Sequence, residues 1–467
     1  MEPYDFLIVG AGPAGCVLAN RLSENPNLRV ALLEAGPDHN HRRAIVRIPL
    51  AMVTFMAPAL AFLGGPRFMD WFETEPEPGL QGRRIALPRG QGTGGSTNVN
   101  GQIFIRGQRE DYDAWSASGA TGWSYEDCLP YFKKLERLEL LADPASARQL
   151  PLELQRADPV FHGTEGPLNV APLRSLTLMA HVFLAAAKLA GLKLTADFNG
   201  ESQAGAGLYM FNQRNGQRVT AEGAYLAPIR NRPKLSVIPN RRATRLIMEG
   251  KRCTGVECGT GQFRAREVIL SAGSLVSPHL LMLSGIGNER DLRKAGVFPV
   301  HHLPGVGENL QDHLDITIEY KAKSTAPYGI SWKSLPRNIL HVADWFVRKR
   351  GLFASTTAEG GAFVDTTGGA RPDIQLFFCS GVANTQNARG FTGHGFLMHI
   401  CQLRPGSVGA LKLKPGSAAD KPSIIYNFFR GQSTFDALRE GLKIARAIVA
   451  QTPFAPHLDR EVSPGPE

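Results

Sequence analysis

The six cysteines (Cys16, Cys128, Cys253, Cys258, Cys379, Cys401) are scattered and no two form a CxxC pair, so neither a disulfide framework nor a thiolate metal site is indicated. No leader-like segment precedes the first strand pattern, and reduced thiols in a cytoplasmic protein are the expectation. No uninterrupted apolar run is long enough for a membrane-spanning helix. The nearest approach, Ile48 to Pro66, is uncharged, but Pro49, Pro58 and the pair Gly64, Gly65 break it. It reads as a lid or buried loop, or as a peripheral contact on the inner face of a membrane. Blocks of like charge are also missing. The formal charge is +10, yet the densest basic run is only Arg348, Lys349, Arg350, which suits a solvated face and argues against a nucleic-acid partner. There is no internal repeat. The 467 residues, 43% hydrophobic and 20% charged, are enough for two domains, and 50 glycines with 32 prolines imply many tight connections.

Against this background the opening is informative. An apolar strand, Asp5 to Val9, leads into Gly10, Gly12 and Gly15 in a GxGxxG pattern, then a helix, then the strand VALLEAG. A strand apolar throughout is buried on both faces, as in a central parallel position. Gly10 permits the tight turn, Gly12 lets the backbone approach a pyrophosphate, and Gly15 lets the helix pack closely on the strand. Glu34 follows nineteen residues after Gly15, where a carboxylate accepts hydrogen bonds from the ribose of an adenosine and repels a 2′-phosphate. These features point to a dinucleotide site and leave FAD and NAD both open.

Further along, helices are predicted over Asp111 to Trp115, Tyr125 to Leu140 and Leu176 to Ala190, with a strand at Leu168 to Val170. A second nucleotide-domain block starts near Lys234. It comprises LSVIP, a hairpin from Ala243 to Glu257 turning at Glu249 and Gly250, and the strand Glu267 to Leu270. From about Ile316 alternating strands, including IQLFF, FLMHICQL and ALKLK, suit a mostly antiparallel sheet.

Two longer segments are more specific. RGQGTGGSTNVNGQIFIRG, Arg89 to Gly107, has six glycines in nineteen residues, and GSLVSPHLLMLSGIG, Gly273 to Gly287, follows directly on the strand VILSA. With the opening fingerprint they resemble the two signature patterns of the glucose-methanol-choline oxidoreductases, FAD enzymes that oxidise alcohols. TEPEP at Thr74, HGTEGPL at His162, DFNG at Asp197 and GVGENLQDH at Gly305 extend the resemblance over nearly the whole chain. It leans toward the choline dehydrogenase-like branch.

The resemblance implies an α/β chain, α+β overall, with a discontinuous Rossmann-like FAD-binding domain over 1–315 carrying insertions at about 37–72 and 115–204. A substrate domain with a mostly antiparallel sheet would occupy 316–467. Gly10, Gly12, Pro13, Ala14 and Gly15 would lie along the pyrophosphate, Glu34 and Ala35 at the adenosine ribose, and Ala243 at the adenine. Gly92 and Ser96 would approach the ribityl and phosphate side, with Asn100, Gly101, Gln102 and Ile103 beside the flavin ring. Gln91 stands where relatives usually carry a basic residue, and Thr93 and Asn98 replace small or apolar ones. Val99 stands where some relatives carry a flavin-linked histidine, so noncovalent FAD is expected.

The expected reaction is oxidation of a primary alcohol, choline-like or aliphatic or aromatic, with electrons passed to a quinone, a dye-like acceptor or O2. The resemblance implies a catalytic histidine in an HPxG-type motif, and none of the twelve histidines sits in one. That motif is expected beyond Glu467, so no catalytic residue is assigned within the sequence. An incomplete, inactive chain is therefore expected, with a noncatalytic FAD-binding fragment or an FAD-dependent lyase as alternatives. Glu359, in TTAEGGAF, matches a position at which choline-oxidising members place a glutamate near the ammonium. Phe363, Phe377 and Phe378 offer aromatic faces nearby in sequence. No metal is expected.

Overall fold

A computed structural model describes residues 3–56, 68–259, 261–329, 331–369, 371–381, 393–416 and 420–465. Residues 57–66 of the uncharged stretch read above lie outside these. So does Glu467, the residue beyond which the histidine motif is expected.

The opening strand, Tyr4–Val9, is central. Leu7 and Ile8 are fully buried, and the strand pairs in parallel with Val30–Leu33 on one side and Gly261–Leu270 on the other. Leu235–Ile238 adds a further parallel strand beyond Val30–Leu33. On the opposite flank the hairpin of Ala243–Glu249 and Arg252–Cys258 pairs antiparallel with Gly261–Leu270 and completes a six-stranded sheet. Chain entering at residue 4 and chain returning after residue 235 thus share one layer. The carboxyl ends of its parallel strands, at Val9, Leu33, Ile238 and Leu270, open on the same side, where such sheets bind ligands.

A second six-stranded sheet is antiparallel throughout. Its order is Leu458–Ser463, Asp315–Ala322, Gly395–Gln402, Ile374–Cys379, Ala358–Val364 and Gly205–Leu208, so one edge strand comes from far upstream. The helices Leu178–Leu189 and Gln432–Val449 pack on it. Phe183 stacks on Phe378 at 4.9 Å, and Phe396 on Phe454 at 5.0 Å, within the largest apolar core. Gly441 lets the longer helix settle on the sheet, because a Cβ there would stand 2.6 Å from Ile400.

The predicted helix from Tyr125 to Leu140 stops early. It spans Tyr125–Leu135, and Glu136–Leu138 becomes a strand parallel to Leu168–Val170. Helical propensity yields here to a buried charge network. The fully buried Glu136 carboxylate accepts from Arg106 Nη2 at 2.7 Å and lies 3.0 Å from His162 Nδ1, while His162 Nε2 meets Asp197 at 2.6 Å. The HGTEGPL and DFNG segments and the arginine of FIRG are fastened together at this point.

Burial alone would push the His162 imidazole down, but hydrogen bonds to Asp197 and Glu136 overcome it and hold its pKa up at about 9. A folded value above the unfolded value of ~6.5 means that the charged bridge contributes fully below pH ~6.5 and is lost as pH rises through about 9. We expect His162→Gln to cost on the order of 3 kcal/mol at pH 6, with the difference narrowing toward pH 10. Denaturant melts of both proteins across that range check this, and a difference independent of pH would contradict it.

Candidate functional site

Three glycines shape the first turn. Gly10 has φ +102°, and a Cβ on it would stand 2.7 Å from the Ser271 carbonyl oxygen. On Gly15 a Cβ would fall 1.9 Å from the Gly10 carbonyl oxygen, so the helix Pro13–Leu22 lies directly on the strand. Gly12 differs: the nearest atom to its added Cβ is 4.0 Å away, leaving open space. The helix starts on Pro13 with no side-chain cap and no acid in its first turn. Its amino-terminal amides are therefore free to meet an anion.

Glu34, at the end of the second strand, is buried and carries three backbone amides. Oε2 accepts from Ala11 at 2.9 Å, and Oε1 from Gly36 at 2.8 Å and Gly92 at 3.0 Å. Its main chain continues the connection, with its amide donating to Ile238 and its carbonyl accepting from Arg241. The glycine-rich segment is thereby drawn against the first turn. Gly94 N donates to Ala11 O at 2.8 Å, and a Cβ on Gly95, at φ +53°, would be 2.8 Å from Gly12 Cα. Side chains larger than hydrogen have no room between the two turns.

These turns enclose a cavity of about 440 Å³. Of the residues singled out in the sequence, Gly10, Gly12, Pro13, Ala14, Glu34, Ala35, Ser96 and Ala243 line it. Gln91 lines it too, whereas Gly15, Gly92, Asn100, Gly101, Gln102 and Ile103 are not part of its lining. None of the described residues lining it is a histidine. The wall includes Arg89, Arg241, Arg242 and the turn Ser271–Ser277, which the sequence reading did not assign. The turn had a signal: it is a second strand, turn and helix unit, with Leu270 ending the strand and Val276–Leu283 forming the helix. Ser271 closes this turn onto the first, its hydroxyl donating to Gly10 O at 2.8 Å.

The family model described as GMC oxidoreductase matches residues 4–315. The chain belongs to the GMC oxidoreductases. It is 36% identical to an alcohol dehydrogenase [acceptor] of Pseudomonas putida, over 99% of this chain and 81% of that protein. It is also 36% identical to the mitochondrial choline dehydrogenase of Mus musculus, over 99% and 76%. Among solved structures, pyridoxine 4-oxidase from Mesorbium loti aligns with a TM-score of 0.83 at 27% identity, over 99% of this chain and 84% of that one. Formate oxidase from Aspergillus oryzae has the same fold, with a TM-score of 0.86 at 24% identity and coverage of 99% and 84%.

In this GMC chain the later part of the glycine-rich segment is organised by Arg218, which the sequence reading also missed. Arg218 Nη1 donates to the Asn100 carbonyl at 2.7 Å and to Asn100 Oδ1 at 2.8 Å, and Nε donates to Val46 O at 3.0 Å. Buried on carbonyl and amide oxygens alone, the guanidinium is pushed down to about 9 by desolvation. Gln102, 1% exposed at φ +63°, has neither side-chain polar atom satisfied by protein. Ile103 forms a bridge to Phe211 and packs, as Phe377 does, against the apolar cluster of Leu173, Phe198, Tyr209, Phe211 and Phe363. Val99 lies in an apolar cluster with Val46, Phe55 and Phe68.

Glu359 is fully buried in the second sheet, and its carboxylate is engaged at both oxygens. Oε2 accepts from Thr177 N at 2.9 Å and Thr177 Oγ1 at 2.6 Å, and Oε1 from Ser355 Oγ at 3.1 Å. Burial outweighs these bonds and pushes its pKa up to about 7. Of the three phenylalanines, Phe363 and Phe378 are buried, whereas Phe377 meets the His399 ring at 6.1 Å. His399 Nδ1 lies 2.6 Å from Asp315 Oδ2; burial lowers its pKa, but Asp315 and Cys379 raise it further, to about 11. His39, His41 and Glu222 gather close together, Arg230 bridges Glu222 and Asp38, and Asp38 accepts from Thr93 of the glycine-rich segment at 3.1 Å.

Removing the Glu34 carboxylate strands three amides. We expect Glu34→Ala to lower unfolding free energy by at least about 3 kcal/mol, from the cost of buried donors left unpaired. Equilibrium denaturation measures it, and a loss below about 1 kcal/mol would show that water replaces the carboxylate.

Proposed function

We propose that this chain binds FAD noncovalently as an enzyme of the kind that oxidises a primary alcohol, choline-like or aliphatic or aromatic, to the carbonyl compound, and that with no histidine among the described residues lining the cavity its own turnover is slow or absent. The observation that carries the reading is the cavity itself. It combines an uncapped helix start, open space over Gly12 and a buried acid at the end of the second strand. That donor set fits a dinucleotide with an unphosphorylated adenosine ribose. The choline and alcohol dehydrogenases among the relatives support the alcohol as substrate.

Bound there, FAD supplies a hydride acceptor. Gly12, Pro13, Ala14 and the helix amides would hold the pyrophosphate, with Gly10 and Gly15 setting the turn. Glu34 has one acceptor position beyond its three amides, and with Ala35 it would take the ribose. Ala243 would meet the adenine, and Arg241 and Arg242 bring positive charge to the cavity wall. Gly92 and Ser96 would flank the chain of the cofactor. Asn100, Gly101, Gln102 and Ile103 would border the flavin, where the unsatisfied Gln102 amide supplies a donor and an acceptor. Glu359 would place negative charge near a cationic substrate. Val99 offers no nucleophile for a covalent link. The acceptor of the electrons is a quinone, a dye-like compound or O2.

Gly12→Val places side-chain atoms in open cavity space while leaving backbone geometry allowed. We expect it to weaken FAD binding by roughly 100-fold or more while the FAD-free melting temperature stays unchanged. Fluorescence titration of FAD checks the binding, and unaltered affinity would remove the pyrophosphate assignment. The reaction is tested on the gene product under anaerobic conditions with choline and simple primary alcohols. Slow bleaching of the flavin with carbonyl release, or none, is expected of this chain, and fast turnover would contradict its inactivity. Carbonyl release from a cyanohydrin without bleaching would favour a lyase and contradict the oxidoreductase reading.

A further inference from the structure

The helix Leu335–Arg348 is mounted with its apolar stripe toward solvent. In a surface helix of a globular protein the apolar face is normally turned to the core. Here the inward contacts are mainly polar. Asn338 Nδ2 donates to Gly329 O at 3.1 Å, Arg337 donates to the Thr325 carbonyl, and His341 faces the Tyr328 ring at 6.2 Å. Trp345 is the one buried apolar anchor, its indole donating to Gly216 O at 3.4 Å. The outward residues are Trp332, Leu335, Ile339, Leu340, Phe346 and Val347, at helical spacing. Trp332 is 90% exposed, Leu340 68%, Phe346 67% and Val347 81%. An exposed apolar ridge of this extent marks a contact surface.

The charge around the ridge specifies the partner. Lys333, Arg348, Lys349 and Arg350 border it at the two ends. The only acid between residues 331 and 350 is Asp344, which lies 3.7 Å from Arg348 Nη1. The Lys349 ammonium sits 4.0 Å over the ring of the buried Trp345 and donates to the Phe346 carbonyl at 3.3 Å, so it caps the end of the helix beside the ridge. A protein–protein interface core would be depleted of lysine, whereas bulky apolar residues with a tryptophan and a cationic border are what an interfacial helix presents to acidic headgroups. The turn Leu352–Ala354, which follows the helix, also packs on Pro49–Ala51, so the uncharged stretch read in the sequence begins beside it.

We propose that this face docks on an anionic lipid bilayer, with Trp332, Leu340, Phe346 and Val347 entering the headgroup layer and the basic residues pairing with lipid phosphates. The inference stands on this helix alone and is independent of the redox reading. The test is cosedimentation of the whole chain with phosphatidylcholine vesicles, with and without about one-third phosphatidylglycerol.

Binding is expected to the phosphatidylglycerol vesicles and to weaken on adding salt. Phe346→Glu with Val347→Glu should lower the affinity at least roughly tenfold. Replacing Arg348, Lys349 and Arg350 by glutamine should cost roughly fivefold per charge. Phe346, Val347, Arg348 and Arg350 are exposed, so those substitutions should leave the melt as in the parent, and Arg348→Gln with Arg350→Gln serves if the half-buried Lys349 cannot be replaced. If the glutamate pair does not fold, Leu340→Ser with Ile339→Ser provides the same readout. Three results would overturn the proposal: no sedimentation with anionic vesicles, equal binding by the ridge variants, or lipid-free self-association that the same substitutions abolish. The last would identify a second copy of the chain as the occupant.

Discussion

A buried carboxylate that ties two distant turns to its own strand end through three amides is the interaction on which the nucleotide half depends. Glu34 joins the glycine turn at Ala11, its own strand end at Gly36 and the glycine-rich segment at Gly92. Each amide would otherwise be a buried donor without a partner in a region too crowded for side chains. The carboxylate gathers them because it presents about four lone-pair positions in one plane. The approach of Gly95 to Gly12 and of Gly15 to Gly10 then becomes possible, and the cavity takes its shape from those contacts. A neutral isostere cannot serve equally well, since its NH2 would face one of the donors.

The same arrangement links fold to the proposed chemistry. Parallel strands ending at Val9, Leu33 and Leu270 deliver two glycine turns and one acid to a single crevice. Ser271 hydrogen-bonds the first turn to the second across more than two hundred residues of sequence. The buried Arg218, holding Asn100 from below, plays a related part for the segment that would border the flavin. Both charged groups are fixed by main-chain partners, Glu34 by amides and Arg218 largely by carbonyls. Neither neutralises the other, so the segment between them is bound by charge to backbone at each end.

What could be read in the sequence follows from how local each feature is. The apolar Tyr4–Val9 strand, the GxGxxG turn and the Ala243–Cys258 hairpin were legible because their patterns are complete within a few tens of residues. Membership of the cavity wall was legible for Gly12, Glu34 and Ala243 through the family resemblance. The premature end of the helix at Leu135 was not, because it depends on Arg106, His162 and Asp197 arriving from three other segments. Arg218 escaped notice for the same reason: its partners at Val46, Thr97 and Asn100 are distant in sequence. The 335–348 helix has a clear amphipathic period, but period alone does not reveal which face the chain turns inward. Only the contacts of Asn338, His341 and Trp345 decide that.

The clamp at Glu34 is tested most directly by amide hydrogen exchange, residue by residue, in the parent and in Glu34→Ala. A single carboxylate serving all three segments requires the amides of Ala11, Gly36 and Gly92 to lose protection together, by roughly tenfold or more each, while the buried strand amides of Leu7 and Ile8 keep theirs. Faster exchange at Gly36 alone, with Ala11 and Gly92 unchanged, would show that the two glycine turns are held by other contacts and would contradict the central role given to this residue.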